Sequence, residues 1–380
     1  MAEVVIFGAG KIARGFLGQL LFNAGIGFAF VDANEELVGL INARRRYSVN
    51  VLGAPERNSL ITGCRAYALS DAAGIAAEAR GCRAIFTAMG GKNLAAAAPH
   101  ILRAALAAGR DINVITCENW TRPAQLLAAA ARDIAPDMRA GFAEAVVMRS
   151  AIEPDAGQLA ADPLVVNVQN YWRLPIDADA LIAELPSVPE FEPTRDFKGF
   201  LERKFYTYNA ANGTVSYLGA LLGHTHIAQA ARDPRVAEVL ERVYHETGAA
   251  LAAKYHLPLA DQMAFAAASR AKLRDEVIVD TIERNARDPM RKLGPDDRLV
   301  GSARLALRYG VEPAGLATAI AAALHYRAAG DRSAEALAQI MAEGGAERAL
   351  TQVCGLSRGD ELYELVLAQQ RDLRDRGWIR

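Results

Sequence analysis

Gly8-Ala9-Gly10-Lys11-Ile12-Ala13 follows the apolar run Val4–Phe7 directly and opens an amphipathic stretch. Few sequence features restrict a fold more. Glycines at the first and third positions allow a tight turn and let backbone approach a ligand, and Ala13 is small enough for close helix–strand packing. The helix that begins here offers oriented N–H groups and a partial positive charge, suited to a pyrophosphate. A strand–turn–helix of this kind is the opening of a dinucleotide-binding βαβ unit, with Gly8, Ala9, Gly10, Lys11 and Ile12 at the cofactor. Asp32 ends the next apolar run, 22 residues after Gly10. A carboxylate there accepts hydrogen bonds from ribose hydroxyls and repels a 2′-phosphate, which selects NAD over NADP. Arg44–Arg46 lies beyond the second helix and reads as a solvated charge run.

Residues 1 to about 150 continue the pattern of βα units. Val4–Phe7, Phe28–Val31, Ala84–Ala88 and Ile112–Thr116 read as buried strands, and Ile12–Asn23 and Leu94–Ala108 as helices. Pro99 inside the second helix predicts a kink or a later start there. Tyr47–Leu52 alternates like an exposed strand and predicts a hairpin with Ser59–Thr62. Thr87-Ala-Met-Gly-Gly91 and Cys117-Glu118-Asn119 fall at strand C-terminal ends, where ligands sit in doubly wound sheets. Thr87 and Glu118 are therefore further cofactor candidates. Asn119 is a candidate donor to a reacting oxygen, with a turn-stabilising asparagine as the alternative.

Pro163–Trp172 is β-rich, and Leu185–Pro193, with three prolines, reads as a linker. Beyond residue 196 the pattern is helical: Val236–Lys254, Pro258–Arg274, Arg298–Tyr309, Pro313–Tyr326 and Ser333–Glu343. The expectation is α/β: a Rossmann-type doubly wound NAD domain with a β extension over 1–195, then an all-α substrate and catalytic domain over 196–380.

Within the helical half, Lys204 is followed by Asn209 and Asn212. At about 100° per residue the three fall within an arc of roughly 140°, flanked by Phe205, Tyr206 and Tyr208. A lysine shielded from water loses its proton more readily and can serve as a base. Arg287, Arg291 and Lys292 form a basic cluster suited to a substrate phosphate or carboxylate, with a helix-end charge cluster or an interdomain salt bridge as the alternative.

A formal net charge of −1 argues against a nucleic-acid or anionic-membrane partner. No apolar run approaches the ~20 residues that span a bilayer. Val4–Phe7 begins too early to leave room for a signal peptide. Four separated cysteines and six scattered histidines, with His224 and His226 diverging on a helix, suggest reduced thiols and no metal site. A cytoplasmic protein acting on a small molecule is expected, as a monomer or homodimer.

With these motifs in order, the chain resembles the polyol-specific long-chain dehydrogenases, most closely their short bacterial mannitol-1-phosphate 5-dehydrogenase members. The resemblance runs through nearly the whole chain. It is carried by Phe7–Phe16, Cys117-Glu-Asn119, Glu202-Arg-Lys204-Phe-Tyr-Thr-Tyr-Asn209 and Tyr217-Leu-Gly219. Further on it is carried by Pro289–Leu293 with Asp297-Arg-Leu299, and by Ala323-Leu-His-Tyr-Arg327. It implies metal-independent, NAD-linked hydride transfer between a polyol and a ketose, here mannitol 1-phosphate and fructose 6-phosphate or a close analogue. It further implies Lys204 as acid/base, with Asn209 and Asn119 donating to the substrate oxygen. Two positions depart from the pattern: Asn212 stands where the family has histidine, and Met148 where its mannitol-phosphate members have aspartate. An unphosphorylated polyol or a sugar acid is the alternative substrate, and a non-catalytic NAD(H)-binding module the alternative of another class.

Overall fold

Val4–Phe7 (β1) is buried on both faces: Val4 and Ile6 join one hydrophobic cluster, Val5 and Phe7 another. A strand covered on both sides reads as a continuous apolar run, as this one does. β1 belongs to a six-stranded sheet with Phe28–Asp32 (β2), Ala66–Ala68 (β3), Ala84–Thr87 (β4), Ile112–Thr116 (β5) and Ala140–Glu144 (β6). In this computed structural model, which describes residues 1–379, all neighbouring pairs are parallel and the order is β3-β2-β1-β4-β5-β6. That is the doubly wound order whose reversal beside β1 opens a ligand crevice at the strand C-termini.

The sheet lies in the first of two units, Met1–Lys198 and Gly199 onward. The expected hairpin is present: Arg46–Leu52 pairs antiparallel with Ser59–Thr62, Tyr47 facing Ile61. Val166–Gln169 adds to it in parallel, and Ala151–Ile152 closes this second sheet.

Two local expectations change and a third, at Pro99, is narrowed. The stretch read as a linker ends in a strand, Phe191–Thr194, parallel to Leu174–Asp177 with Pro193 opposite Ile176. A two-stranded sheet has only edges, where a missing N–H is tolerated. Pro99 lies inside a helix, Leu94–Ala107, that starts where the periodicity placed it. The first helix begins as a π-turn, Ala13–Gly18, and becomes α-helical only over Gln19–Asn23.

The second unit contains helices and no strand among the described residues. Its core includes Tyr217, Leu218, Leu240, Val243, Tyr244, Leu316, Ile320 and Leu324. The buried Glu246 carboxylate accepts from Gly315 N (2.6 Å) and Leu316 N (2.9 Å), so an anion caps the N-terminus of Ala314–Leu324. The helix expected over Ser333–Glu343 extends over Arg332–Gln352, broken at Gly344 and Gly345.

Candidate active site

The glycine-rich turn meets a dinucleotide's requirements atom by atom. Gly8 has φ +102°, and a Cβ there would stand 2.4 Å from Ala88 O. Gly10 has nothing within 4 Å of where its Cβ would be, a clearing over the helix N-terminus that a pyrophosphate fits. Asp32 accepts from Ala9 N at 2.6 Å and from Asn34 N at 2.9 Å, which fixes its carboxylate beside the turn with lone pairs remaining for ribose hydroxyls. The Thr87 hydroxyl is buried at the end of β4 without a hydrogen-bond partner, an orphan that a bound ligand would satisfy.

Other predicted cofactor residues stand differently. Glu118 accepts from Met89 N (3.0 Å) and Gly90 N (2.9 Å), so it shapes the loop after β4. Lys11 pairs with Glu153, both exposed, and Ile12 is half-buried. Asn119 is exposed in the loop after β5. Trp120, which sequence reasoning passed over, rests on Gly91: a Cβ there would meet the Trp120 Cβ at 2.3 Å. Arg44–Arg46 is exposed at a helix C-terminus, where positive charge suits the dipole.

Helix Phe197–Lys204, in the second unit from Gly199 on, runs into a π-turn over Phe205–Asn209 and continues as Ala210–Leu221. The Ala210 N–H reaches Phe205 O, closing a five-residue turn. Residues five apart across such a turn take the relation that residues four apart have in an α-helix. Lys204 and Asn209 thus share a face more closely than the uniform helical arc allowed, and Asn212 follows three residues later. π-Turns recur at functional sites for this kind of local re-aiming.

Burial lowers the pKa of the Lys204 ammonium, and the nearby Arg298 charge lowers it further. Arg298 stands 5.4 Å from the Phe205 ring centroid and bonds Asp297 at 2.9 Å. Burial also brings Lys272 down to about 8, helped by the charge of Lys204 and opposed by Asp280. Phe265, seven residues before Lys272 on the same helix, packs edge-on against Tyr208 at 5.0 Å. Lys292 is 6% exposed, donates to Asn285 O, and falls to about 8 through burial and the charges of Arg298 and Arg291. Arg291 pairs with Asp288 (2.7 Å) and Asp297 (3.4 Å), and Arg287 is exposed.

Asn212 donates to Asn285 Oδ1 at 3.1 Å. Lys272, Arg298 and Asn285 went unassigned in the sequence because each lies more than 60 residues from Lys204, with no periodicity linking them. Two quoted strings have structural explanations. Arg327 donates to Leu324 O (3.0 Å) and Tyr326 O (2.8 Å) at a helix end, and His325, held down to about 4 by burial, lies against Gln370. Tyr217 donates to Ala286 O, and Gly219 makes room for Ile282 and Ala230.

Met148 is buried, its sulfur 3.9 Å from the Tyr171 hydroxyl. The adjacent Arg149, also buried, bonds Gly15 O, Gln19 Oε1 and Gln169 O, and stacks 4.5 Å from Trp172. It ties the helix after the glycine turn to the second sheet.

Two family models match the chain: the mannitol dehydrogenase Rossmann domain over residues 2–189 and the mannitol dehydrogenase C-terminal domain over 196–373. Among solved structures, a D-sorbitol dehydrogenase in substrate-free form aligns with TM-score 0.78 at 16% identity, covering 99% of this chain and 94% of that one. The Pseudomonas fluorescens mannitol 2-dehydrogenase ternary complex with NAD and D-mannitol aligns with TM-score 0.68 at 17% identity, covering 99% and 92%. At such identity these two likenesses speak for the fold. The two domain models, in order and together spanning nearly the whole chain, place it in a family: this chain belongs to the mannitol dehydrogenase family, and its first unit is that family's NAD-binding Rossmann domain.

Proposed function

We propose that this chain, a member of a polyol dehydrogenase family, transfers a hydride between a polyol phosphate and a ketose phosphate, mannitol 1-phosphate and fructose 6-phosphate or a close analogue. The observation that carries the reading is a desolvated lysine among cations, Lys204 with Arg298 and Lys272 and Lys292 beside Arg298, whose charge Asp280, Asp288 and Asp297 offset in part. Cations packed in this way favour the neutral amine at Lys204 and leave a place for an anionic group on the substrate.

Gly8, Gly10, Asp32 and Thr87 are the residues that would hold NAD, which when bound supplies the hydride acceptor. In the oxidative direction neutral Lys204 takes the proton of the substrate hydroxyl as that carbon loses hydride. In the reductive direction the Lys204 ammonium returns the proton to the forming alkoxide. Asn209 and Asn119 are proposed as donors to that oxygen, and Asn212 as a contact to the same substrate. Arg287, Arg291 and Lys292 are proposed on the phosphate side; of these, Lys292 has the burial and the lowered pKa that an anion would offset.

A second reading, an unphosphorylated polyol, is favoured by the names of the two solved relatives, which are sorbitol and mannitol enzymes. Initial rates with NAD on mannitol 1-phosphate, mannitol and a sugar acid decide between them. The phosphate reading expects the highest kcat/KM on mannitol 1-phosphate, and a preference for mannitol would remove it. The non-catalytic alternative falls if fructose 6-phosphate oxidises NADH in the wild type and Lys204→Ala abolishes this with NADH binding intact.

A further inference from the structure

Asn212 is one of the two positions at which the chain departs from the pattern it resembles, and its partner explains how an amide can work there. Asn285 Nδ2 lies 2.9 Å from Thr281 O, a backbone carbonyl that can only accept. The Asn285 amide nitrogen must therefore face Thr281, which turns its Oδ1 toward Asn212. An oxygen facing Asn212 at 3.1 Å requires an N–H in return, so Asn212 must present Nδ2 to Asn285. One fixed carbonyl thus sets the orientation of two amides. Asn285 is held from a second side, since its own backbone carbonyl accepts from the buried Lys292 ammonium.

With one Nδ2–H spent on Asn285, Asn212 keeps its Oδ1 on the other edge of the planar amide, together with a second Nδ2–H. Asn212 is half-buried and three residues beyond Asn209, on the strip that starts at Lys204. We propose that Asn285 is a positioning residue that locks Asn212 with its carbonyl oxygen presented to a substrate hydroxyl. An imidazole can switch between donor and acceptor as it titrates; the locked amide does not titrate, and its Oδ1 stays an acceptor for a hydroxyl at every pH at which the protein is folded. The pair therefore selects for a hydroxyl at one substrate position, and the proposal rests on the polyol reading above.

A double-mutant cycle tests it, with Asn285→Leu, Asn212→Leu and the pair measured for KM, kcat, NADH affinity and melting temperature. Loss of one neutral hydrogen bond corresponds to a rise in substrate KM of about 3- to 10-fold for Asn285→Leu, with NADH affinity unchanged. In the Asn212→Leu background the same substitution should add less than about 2-fold, because its effect passes through Asn212. Asn285→Asp keeps the acceptor for Asn212 and should hold KM closer to wild type than Asn285→Leu does. A substrate analogue lacking the recognised hydroxyl should show no Asn285→Leu effect. Full additivity of the two leucine variants, or equal loss on every deoxy analogue and on the parent substrate, overturns the proposal. A wild type with no turnover on any polyol or polyol phosphate removes the functional reading and this one together. An active wild type with additive variants removes this one alone.

Discussion

Lys204 must be neutral to accept a proton from an alcohol, and charged to give one back. Burial and Arg298 both push its pKa below the ordinary lysine value. Polyol oxidation should therefore rise with pH through a group titrating below that range, and ketose reduction should fall through the same group. Arg298→Met removes one of the two causes, so it should move both limbs to higher pH; limbs that stay in place would exclude Arg298 as a tuning charge. Lys204→Ala should lower turnover about 10²–10⁴-fold with NADH affinity unchanged, measured by fluorescence titration. Asp32 argues the cofactor choice in the same currency. Asp32→Asn keeps one acceptor oxygen for Ala9 N or Asn34 N, gives up the other bond, and loses the charge that repels a 2′-phosphate. The ratio of kcat/KM for NAD over NADP should fall at least about 10-fold; an unchanged ratio would remove Asp32 from that role.

At the scale of elements, what could be read in advance was what depends on neighbours in sequence. The glycine turn, β1, β2 and the hairpin at Arg46–Leu52 follow from periodicity and turn chemistry confined to a few residues. The two π-turns do not, because nothing in Ala13–Gly18 or Phe205–Asn209 distinguishes an i→i+5 closure from an α-helical one. Packing from elsewhere accompanies it at the first turn: Gly15 sits where a Cβ would come within 2.6 Å of Val166 and 2.7 Å of Val168. The partners of Lys204 were illegible for a related reason, since Lys272, Asn285 and Arg298 arrive from separate helices or loops. Gly15→Ala tests the packing argument. It should cost about 1–3 kcal/mol by overpacking against the second sheet. Gly27→Ala, with nothing within 4 Å, should change stability by less than about 1 kcal/mol. Chemical denaturation of the two variants compares them directly; equal midpoints would refute the close-approach role of Gly15.

For the whole molecule, the fold class was visible as a change to a helical pattern beyond about residue 196, and the second unit has no strand among its described residues. The substrate lay beyond that reading, because it depends on how buried charges balance. Lys272 and Lys292 titrate near about 8 in the folded chain. Their unfolded value is near 10.4. A base whose folded pKa is lowered opposes folding fully below that pKa, and the cost is relieved as pH rises from about 8 toward the unfolded value. Near pH 7 both lysines are protonated in the folded protein at a cost that a bound anion would offset. Mannitol 1-phosphate should then raise the melting temperature more at about pH 7 than at about pH 9.5, where the lysines have shed much of their charge. Mannitol, lacking the anion, should stabilise similarly at both values. Lys292→Met should weaken the pH dependence of the phosphate effect, leaving the part that Lys272 carries. A phosphate effect that is equal at the two pH values, or matched by mannitol at equal saturation, would show that the buried charge is balanced within the protein and that the substrate is neutral.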